Sequence, residues 1–98
     1  MRALYCLGAA LLASCAMSPL ANDSLEQARA AVHAVQADTR VAQHAAPELD
    51  LASRALRDAE RAPLAERMHR AYLAEQRARI ARELASARAN AAQAASGR

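Results

Sequence analysis

Apolar residues recur along this chain at alternating steps of three and four, the spacing that aligns side chains on one side of an α-helix. The first such stripe consists of Leu25, Ala28, Val32, Val35, Thr39, Ala42 and Ala46. We predict a first helix that begins at Asp23, whose carboxylate can cap the first turn together with Glu26. His33 and His44 fall on the opposite, polar side, so we expect them to be solvated rather than metal-bound.

Pro47 marks a corner between this helix and the next. Proline disfavours the helical conformation in the residue before it, yet suits the first turn of a new helix. We therefore expect Ala46 to end the first helix and Pro47 to start the second. The second helix carries its own inward stripe, so the corner predicts a helical hairpin that buries the two stripes together: Leu49, Ala52, Leu56 and Ala59 form the second stripe.

Pro63 interrupts the second helix, so the chain must kink or break there before a third segment that runs from Leu64 to about Ala95. This segment carries two apolar rows. The first row contains Leu64, Met68, Ala71, Ala78 and Ala85, with Tyr72 beside it. The second, nearly opposite, contains Leu73, Ile80, Leu84, Ala87 and Ala91.

We expect the hairpin to cover the first row and to leave the second row for a partner protein or a second copy of the chain. Alternatively, the distal part of the helix bends and the second row completes the core of the same chain. The predicted fold is all-α: an antiparallel helical hairpin or three-helix bundle of coiled-coil character with a long C-terminal helix, preceded by a lipoprotein signal peptide.

Composition supports one small domain built from thin helices. The chain has 98 residues, among them 30 alanines, with no phenylalanine or tryptophan and only two glycines. Alanine is the strongest helix former, but its short side chain cannot fill a thick core. We therefore expect closely packed helices.

The N-terminus resembles a bacterial lipoprotein signal. Met1 and Arg2 precede an apolar run over residues 3–12 that is too short to span a bilayer, and Leu12, Ala13, Ser14 and Cys15 then resemble a lipobox. This predicts a signal peptide over 1–14, a lipidated Cys15 with a tether over 15–22, and a helical domain over 23–96. The alternative is an ordinary signal peptide cleaved after Ala21. Cys6 would be removed with the leader in either case.

Ala16 rather than aspartate follows the cysteine. If sorting resembles that of Gram-negative lipoproteins, this favours the outer membrane. We expect a protein anchored there by its covalent lipid and facing the periplasm.

Charge argues against nucleic acid as a partner. The 13 basic residues are all arginines, the net charge is only +3, and acids are interspersed among the bases. Arg70, Arg77 and Arg88 form a thin basic line between the two rows of the third segment. They either lie on a solvated face or contact an acidic partner or phosphate-bearing lipid.

The sequence offers no set of residues that identifies a reaction. It contains no Ser, His and Asp arrangement typical of nucleophilic catalysis and no glycine-rich loop that would cradle a phosphate. We expect no enzymatic activity, no small-molecule substrate and no cofactor apart from the lipid on Cys15.

Several segments resemble a known family: Ala46, Pro47, Glu48, Leu49, Ala52, Leu56 and Ala59, then Ala71, Tyr72, Leu73, Ala74, Ile80 and Ala81. Over roughly Leu25 to Ala92 the chain resembles the family called domain of unknown function 4398. The resemblance implies an alanine-rich helical protein of the bacterial envelope; many members are lipoproteins, and some are joined to OmpA-like peptidoglycan-binding domains. Members often carry a glycine and an acid between the second and third helices, where this chain has Ala62 and Pro63. The resemblance transfers no catalytic residue, and we do not expect peptidoglycan binding.

Together these features predict a small envelope lipoprotein that acts as a structural or adaptor module and binds another envelope protein or a second copy. The alternative is a periplasmic module that binds lipid or lipopolysaccharide.

Overall fold

The structure, a computed structural model, describes residues 19–97. In this part of the chain it has four helices and no strand: α1 Pro19–Gln36, α2 Thr39–His44, α3 Ala46–Arg61 and α4 Leu64–Ser96. The expected all-α fold with a long C-terminal helix is therefore confirmed. At 1.5 Å per residue, α4 is about 50 Å long, and it contacts all three preceding helices.

Polar contacts fix the directions of the helices. Arg29 of α1 donates to Glu60 of α3, and Gln36 donates to Ser53, so residue numbers rise along α1 as they fall along α3. The predicted hairpin between these two helices is confirmed. Arg88 of α4 likewise contacts Glu48 of α3. The helix α4 is therefore antiparallel to α3 and parallel to α1, and the three form a bundle.

The core is built from small side chains. Among the side chains that the structure describes, Val32, Val35 and Val41 are the largest that are completely buried. The long helix contributes only alanines to the buried core: Ala71, Ala74, Ala78, Ala81 and Ala85. Alanine lets neighbouring helix backbones approach closely, so a chain without phenylalanine or tryptophan still closes its interior.

The first helix begins earlier than we predicted. It starts at Pro19, and Asp23 lies inside it rather than at its cap. Proline is favoured in a first turn because the amide it lacks would have no partner within the helix. The last four residues of the predicted tether over 15–22 are thus helical.

The first helix also ends earlier, because the chain breaks at Ala37 and Asp38. The Asp38 carboxylate accepts a hydrogen bond from the amide of Arg40 at 2.9 Å and caps α2. The break shifts the inward stripe. Val41 and Ala45 are buried, whereas the three residues we had placed inward are exposed: Thr39, Ala42 and Ala46.

The corner itself lies one residue before the predicted one. Ala45 is the residue between helices, and α3 starts at Ala46 with Pro47 in its first turn. Ala46 therefore starts a helix rather than ending one. The amide of Ala45 donates to Val41 at 2.8 Å, which closes α2 at the corner.

Pro63 breaks the helix instead of kinking it. Ala62 and Pro63 have extended backbones, with ψ of 146° and 153°, and α4 begins immediately afterwards. The guanidinium of Arg67 donates to the carbonyl of Ala62 at 3.1 Å. This contact satisfies one of the acceptors that the end of α3 leaves open.

The first apolar row of α4 is only partly covered, contrary to our expectation. Ala71, Ala78 and Ala85 are buried, but Leu64 is 63% exposed and Met68 is 48% exposed. The buried stripe follows the alanines because close approach of the helices needs small residues there. Leu64 comes directly after the turn, at the edge of the bundle.

Candidate interaction surface

The second apolar row of α4 lies mostly outside the core. Leu73 is 39% exposed and Ile80 is 47% exposed, whereas Leu84 is partly buried and packs against the core. At 100° per residue, this row lies about 120° around the helix from the buried alanines. One helix therefore carries an alanine face towards its own chain and a larger aliphatic face towards its surroundings.

The row continues towards the C-terminus with smaller residues. Ala87 and Ala91 are both exposed. They lie on the part of α4 that extends to and beyond Arg88, whose partner Glu48 is in the first turn of α3. This distal stretch of α4 has little of its own chain beside it.

A groove between α3 and α4 borders the row. Arg70, Leu73 and Arg77 line it from α4, and Ala55 and Asp58 line it from α3. Arg70 and Arg77 take part in none of the ion pairs formed by the described residues. Leu73 thus shares this groove with two arginines outside these ion pairs and with one carboxylate, that of Asp58.

A second groove adjoins the first at the turn between α3 and α4. It shares Asp58 and Arg70 with the first groove and adds Arg61, Ala62, Pro63 and Glu66. Both grooves are open and lined by charged as well as apolar residues, and neither is an apolar cavity that could enclose an acyl chain.

Arg88 is placed differently from the other two arginines of the predicted basic line. Its guanidinium donates to the Glu48 carboxylate at 2.8 and 3.3 Å and to the carbonyl of His44 at 2.7 Å. The hydrogen bond from Arg88 lowers the pKa of Glu48; a backbone hydrogen bond and the charge of Arg88 act in the same direction. Of these three arginines, Arg88 therefore binds within its own chain, and Arg70 and Arg77 are available to a partner.

Arg29 makes the other contact between distant charged residues. It donates to Glu26 one turn earlier in α1 and to Glu60 of α3. Hydrogen bonds to these two carboxylates raise the pKa of Arg29. Two further pairs lie within single helices, Asp50 with Arg54 and Glu75 with Arg79, each at 3.0 Å.

Leu51 is an exposed apolar residue that the sequence patterns did not single out. It is 44% exposed on α3. Because Glu48 contacts Arg88, Leu51 lies at about the level of Leu84 on the antiparallel helix α4. The sequence signal for this exposure was the position of Leu51 outside the inward stripe of α3.

Residues 19–97 contain no group of three or more His, Cys, Asp and Glu side chains that could hold a metal ion. His33 is exposed, as expected, and His44 is partly buried. None of the described helices is long and apolar enough to cross a membrane. Cys15 lies outside the described residues, so its lipidation stays a prediction.

Comparison with known proteins identifies the family. The family called domain of unknown function 4398 matches this chain over residues 23–96. The match therefore spans most of the chain. The chain belongs to this family. The expected resemblance is therefore confirmed, and the DUF4398 match includes all of α2, α3 and α4 and most of α1. No curated protein and no solved structure matches the chain.

Proposed function

We propose that this DUF4398 protein is a small, non-catalytic lipoprotein of the bacterial cell envelope that acts as an adaptor. Its lipid anchor is Cys15, and its binding surface is the exposed row of α4. The observation that carries the adaptor role is the exposure of Leu73 and Ile80 next to Arg70 and Arg77. The anchor rests on the lipobox at residues 12–15.

The free energy gained by burying aliphatic side chains favours a binding role for this row. Full burial of an aliphatic side chain contributes roughly 1.5 to 3 kcal/mol, and a small alanine-rich domain has little stability to spare. Leu73 and Ile80 contribute only part of this amount to folding, because both remain substantially exposed. A partner that covers them gains the remainder.

The charges beside the row indicate the chemistry of the partner. Arg70 and Arg77 flank Leu73 and take part in no ion pair of the described chain. A complementary surface has aliphatic residues in the middle and carboxylates at the edge. We therefore propose an amphipathic helix of another envelope protein, with Asp or Glu bordering its apolar stripe.

The charged contacts of the chain agree with a non-catalytic role. Many of its carboxylates are bound to arginines, as in the pairs of Glu48 with Arg88 and Glu60 with Arg29. The contact with Arg88 lowers the pKa of Glu48, so this carboxylate stays ionised and is poorly suited to general acid or base work.

A lipid or lipopolysaccharide carrier is the less favoured function. Carriers enclose acyl chains in an apolar cavity, whereas the two grooves beside α4 are open and have charged residues in their lining. Salt-sensitive binding of the unlipidated chain to lipopolysaccharide, lost when Arg70 and Arg77 are replaced by glutamine, would favour the carrier instead.

The adaptor proposal is tested by photo-crosslinking in bacteria. A photoreactive amino acid is placed at position 80, and in a control strain at position 72, because Tyr72 is similarly exposed on another side of α4. We expect a discrete product from position 80 only, and we expect Arg77→Glu to weaken it. The crosslinked segment should be an amphipathic helix with acidic edges, as mass spectrometry of the product can determine.

Other outcomes contradict the proposal in distinct ways. A product with twice the mass of the chain identifies a second copy as the occupant. Equal labelling from positions 80 and 72, or a product unaffected by Arg77→Glu, rejects this surface as the binding site.

A further inference from the structure

The first helix brings the N-terminal anchor to one particular end of the bundle. Arg29 of α1 lies beside Glu60, which is two residues before Ala62. Because α1 is antiparallel to α3, its first residues run past the turn between α3 and α4. The ten residues from Arg29 back to Pro19 span about 15 Å, so α1 extends roughly 10 Å beyond that turn. We call this the turn end: residues 19–29 of α1 and 57–70 around the turn.

The segment before α1 is short. Cys15 precedes Pro19 by four residues, which reach at most about 14 Å when fully extended. This reach exceeds the roughly 10 Å by which α1 extends beyond the turn. A lipid on Cys15 therefore holds the turn end, and not the opposite end near Glu48, at the membrane surface.

The turn end also presents unpartnered apolar side chains. Leu64 is 63% exposed and Met68 is 48% exposed, one turn apart at the start of α4. Side chains on a helix lean towards its N-terminus. Both residues therefore point towards the turn end, in the direction from which the anchor segment enters α1.

The charges at the turn end are balanced. This end contains five arginines and five carboxylates: Arg29, Arg57, Arg61, Arg67 and Arg70, and Asp23, Glu26, Asp58, Glu60 and Glu66. Attraction to anionic lipid is thus weak, and contact with a bilayer would depend on the apolar side chains.

From these observations we infer that the turn end is a membrane seat, in which Leu64 and Met68 enter the bilayer interface beside the lipid of Cys15. The inference rests on the proposed lipid anchor. The seat fixes the orientation of the bundle, with the C-terminal end of α4 directed away from the membrane. It also leaves Ile80, which lies on another side of α4, free for a protein partner.

Tryptophan fluorescence tests the seat, because the chain contains no tryptophan. The full chain is produced in bacteria with Leu64→Trp or Met68→Trp, and the processed protein is reconstituted into vesicles of phosphatidylethanolamine and phosphatidylglycerol. Brominated acyl chains in these vesicles quench tryptophans at the interface. Leu51→Trp is the matched control, since Leu51 is 44% exposed but lies towards the opposite end of α3.

We expect at least about twofold stronger quenching for the Leu64→Trp and Met68→Trp proteins than for the Leu51→Trp control. Raising the salt from about 0.05 M to about 0.5 M should leave the difference unchanged, because the contact is apolar. Quenching that disappears with salt would overturn the apolar seat.

Mass spectrometry of the same samples separates failure of the seat from failure of the anchor. A lipid mass on Cys15 without preferential quenching overturns the seat and leaves the anchor intact. The absence of a lipid mass overturns the anchor and the seat with it. The Leu64→Trp protein could instead be dimeric without vesicles and have blue-shifted tryptophan emission. That result assigns Leu64 and Met68 to contact with a second copy and also overturns the seat.

Discussion

Arg88 donates to both oxygens of the Glu48 carboxylate, at 2.8 and 3.3 Å, although 40 positions separate the two residues. Glu48 belongs to the first turn of α3, where a carboxylate also interacts favourably with the helix dipole. A third hydrogen bond from Arg88 reaches the His44 carbonyl in α2. One side chain of α4 thus fastens the corner between α2 and α3.

This contact predicts a specific pH dependence. Because the folded state lowers the pKa of Glu48, the contact stabilises the protein above the ordinary carboxyl pKa near 4.5. The stabilisation is lost as the pH falls through the lower pKa of the folded state. Urea unfolding of wild type and Glu48→Gln should therefore differ at pH 7 and converge towards pH 3. A difference that persists at low pH would assign the effect to packing instead.

Larger side chains in the alanine stripe of α4 should destabilise the folded protein. Ala78 is 1% exposed at the middle of this stripe, so Ala78→Leu forces the helices apart. We expect a loss of about 1–3 kcal/mol in the free energy of unfolding. The control Ala94→Leu adds the same atoms to an exposed position and should change it by less than about 0.5 kcal/mol. Chemical denaturation of both variants checks the prediction, and equal effects would contradict the close packing of α4.

Replacement of Asp38 should reduce the stability of the protein more than replacement of Asp23. Asp38 caps α2, whereas Asp23 lies inside α1. We expect Asp38→Ala to cost about 1 kcal/mol of stability, as the loss of a side-chain cap does, and Asp23→Ala to cost clearly less. Urea unfolding followed by circular dichroism measures both. The reverse order would favour a first helix that begins at Asp23.

Lipidation is expected to depend on one cysteine. Cys15→Ser should abolish incorporation of a labelled fatty acid in bacteria, because the thiol that accepts the lipid is missing. Cys6→Ser is the control and should still be labelled, since Cys6 lies in the predicted leader. Gel fluorescence of the labelled protein distinguishes the two, and label retained by the Cys15→Ser protein rejects the anchor.

Local patterns determined much of the fold. Helical spacing of apolar residues predicted the antiparallel hairpin and the long third segment, because amphipathic periodicity is visible in short windows. Pro63 predicted an interruption for a reason contained in the residue itself, since proline lacks a backbone donor. Alanine content predicted a thin core without reference to any partner.

Two sequence signals compete near Asp38, and the structure follows the one that we did not predict. The stripe through Thr39, Ala42 and Ala46 continues the helical period, but Asp38 can cap a new helix at the same place. Breaking the chain there buries Val41 and Ala45. Two buried apolar residues outweigh the regularity of the pattern, and this gain depends on α4 lying alongside.

Only the tertiary structure decided which side of α4 faces its own chain. The sequence shows two apolar rows, and the row with Leu64 and Met68 has the larger side chains at its start. The bundle buries the alanines instead, because helix backbones come closest where side chains are smallest. The tertiary structure also decided that Arg88 binds Glu48, whereas Arg70 and Arg77 join no ion pair among residues 19–97. Spacing along one helix cannot specify which residues of another helix lie opposite it.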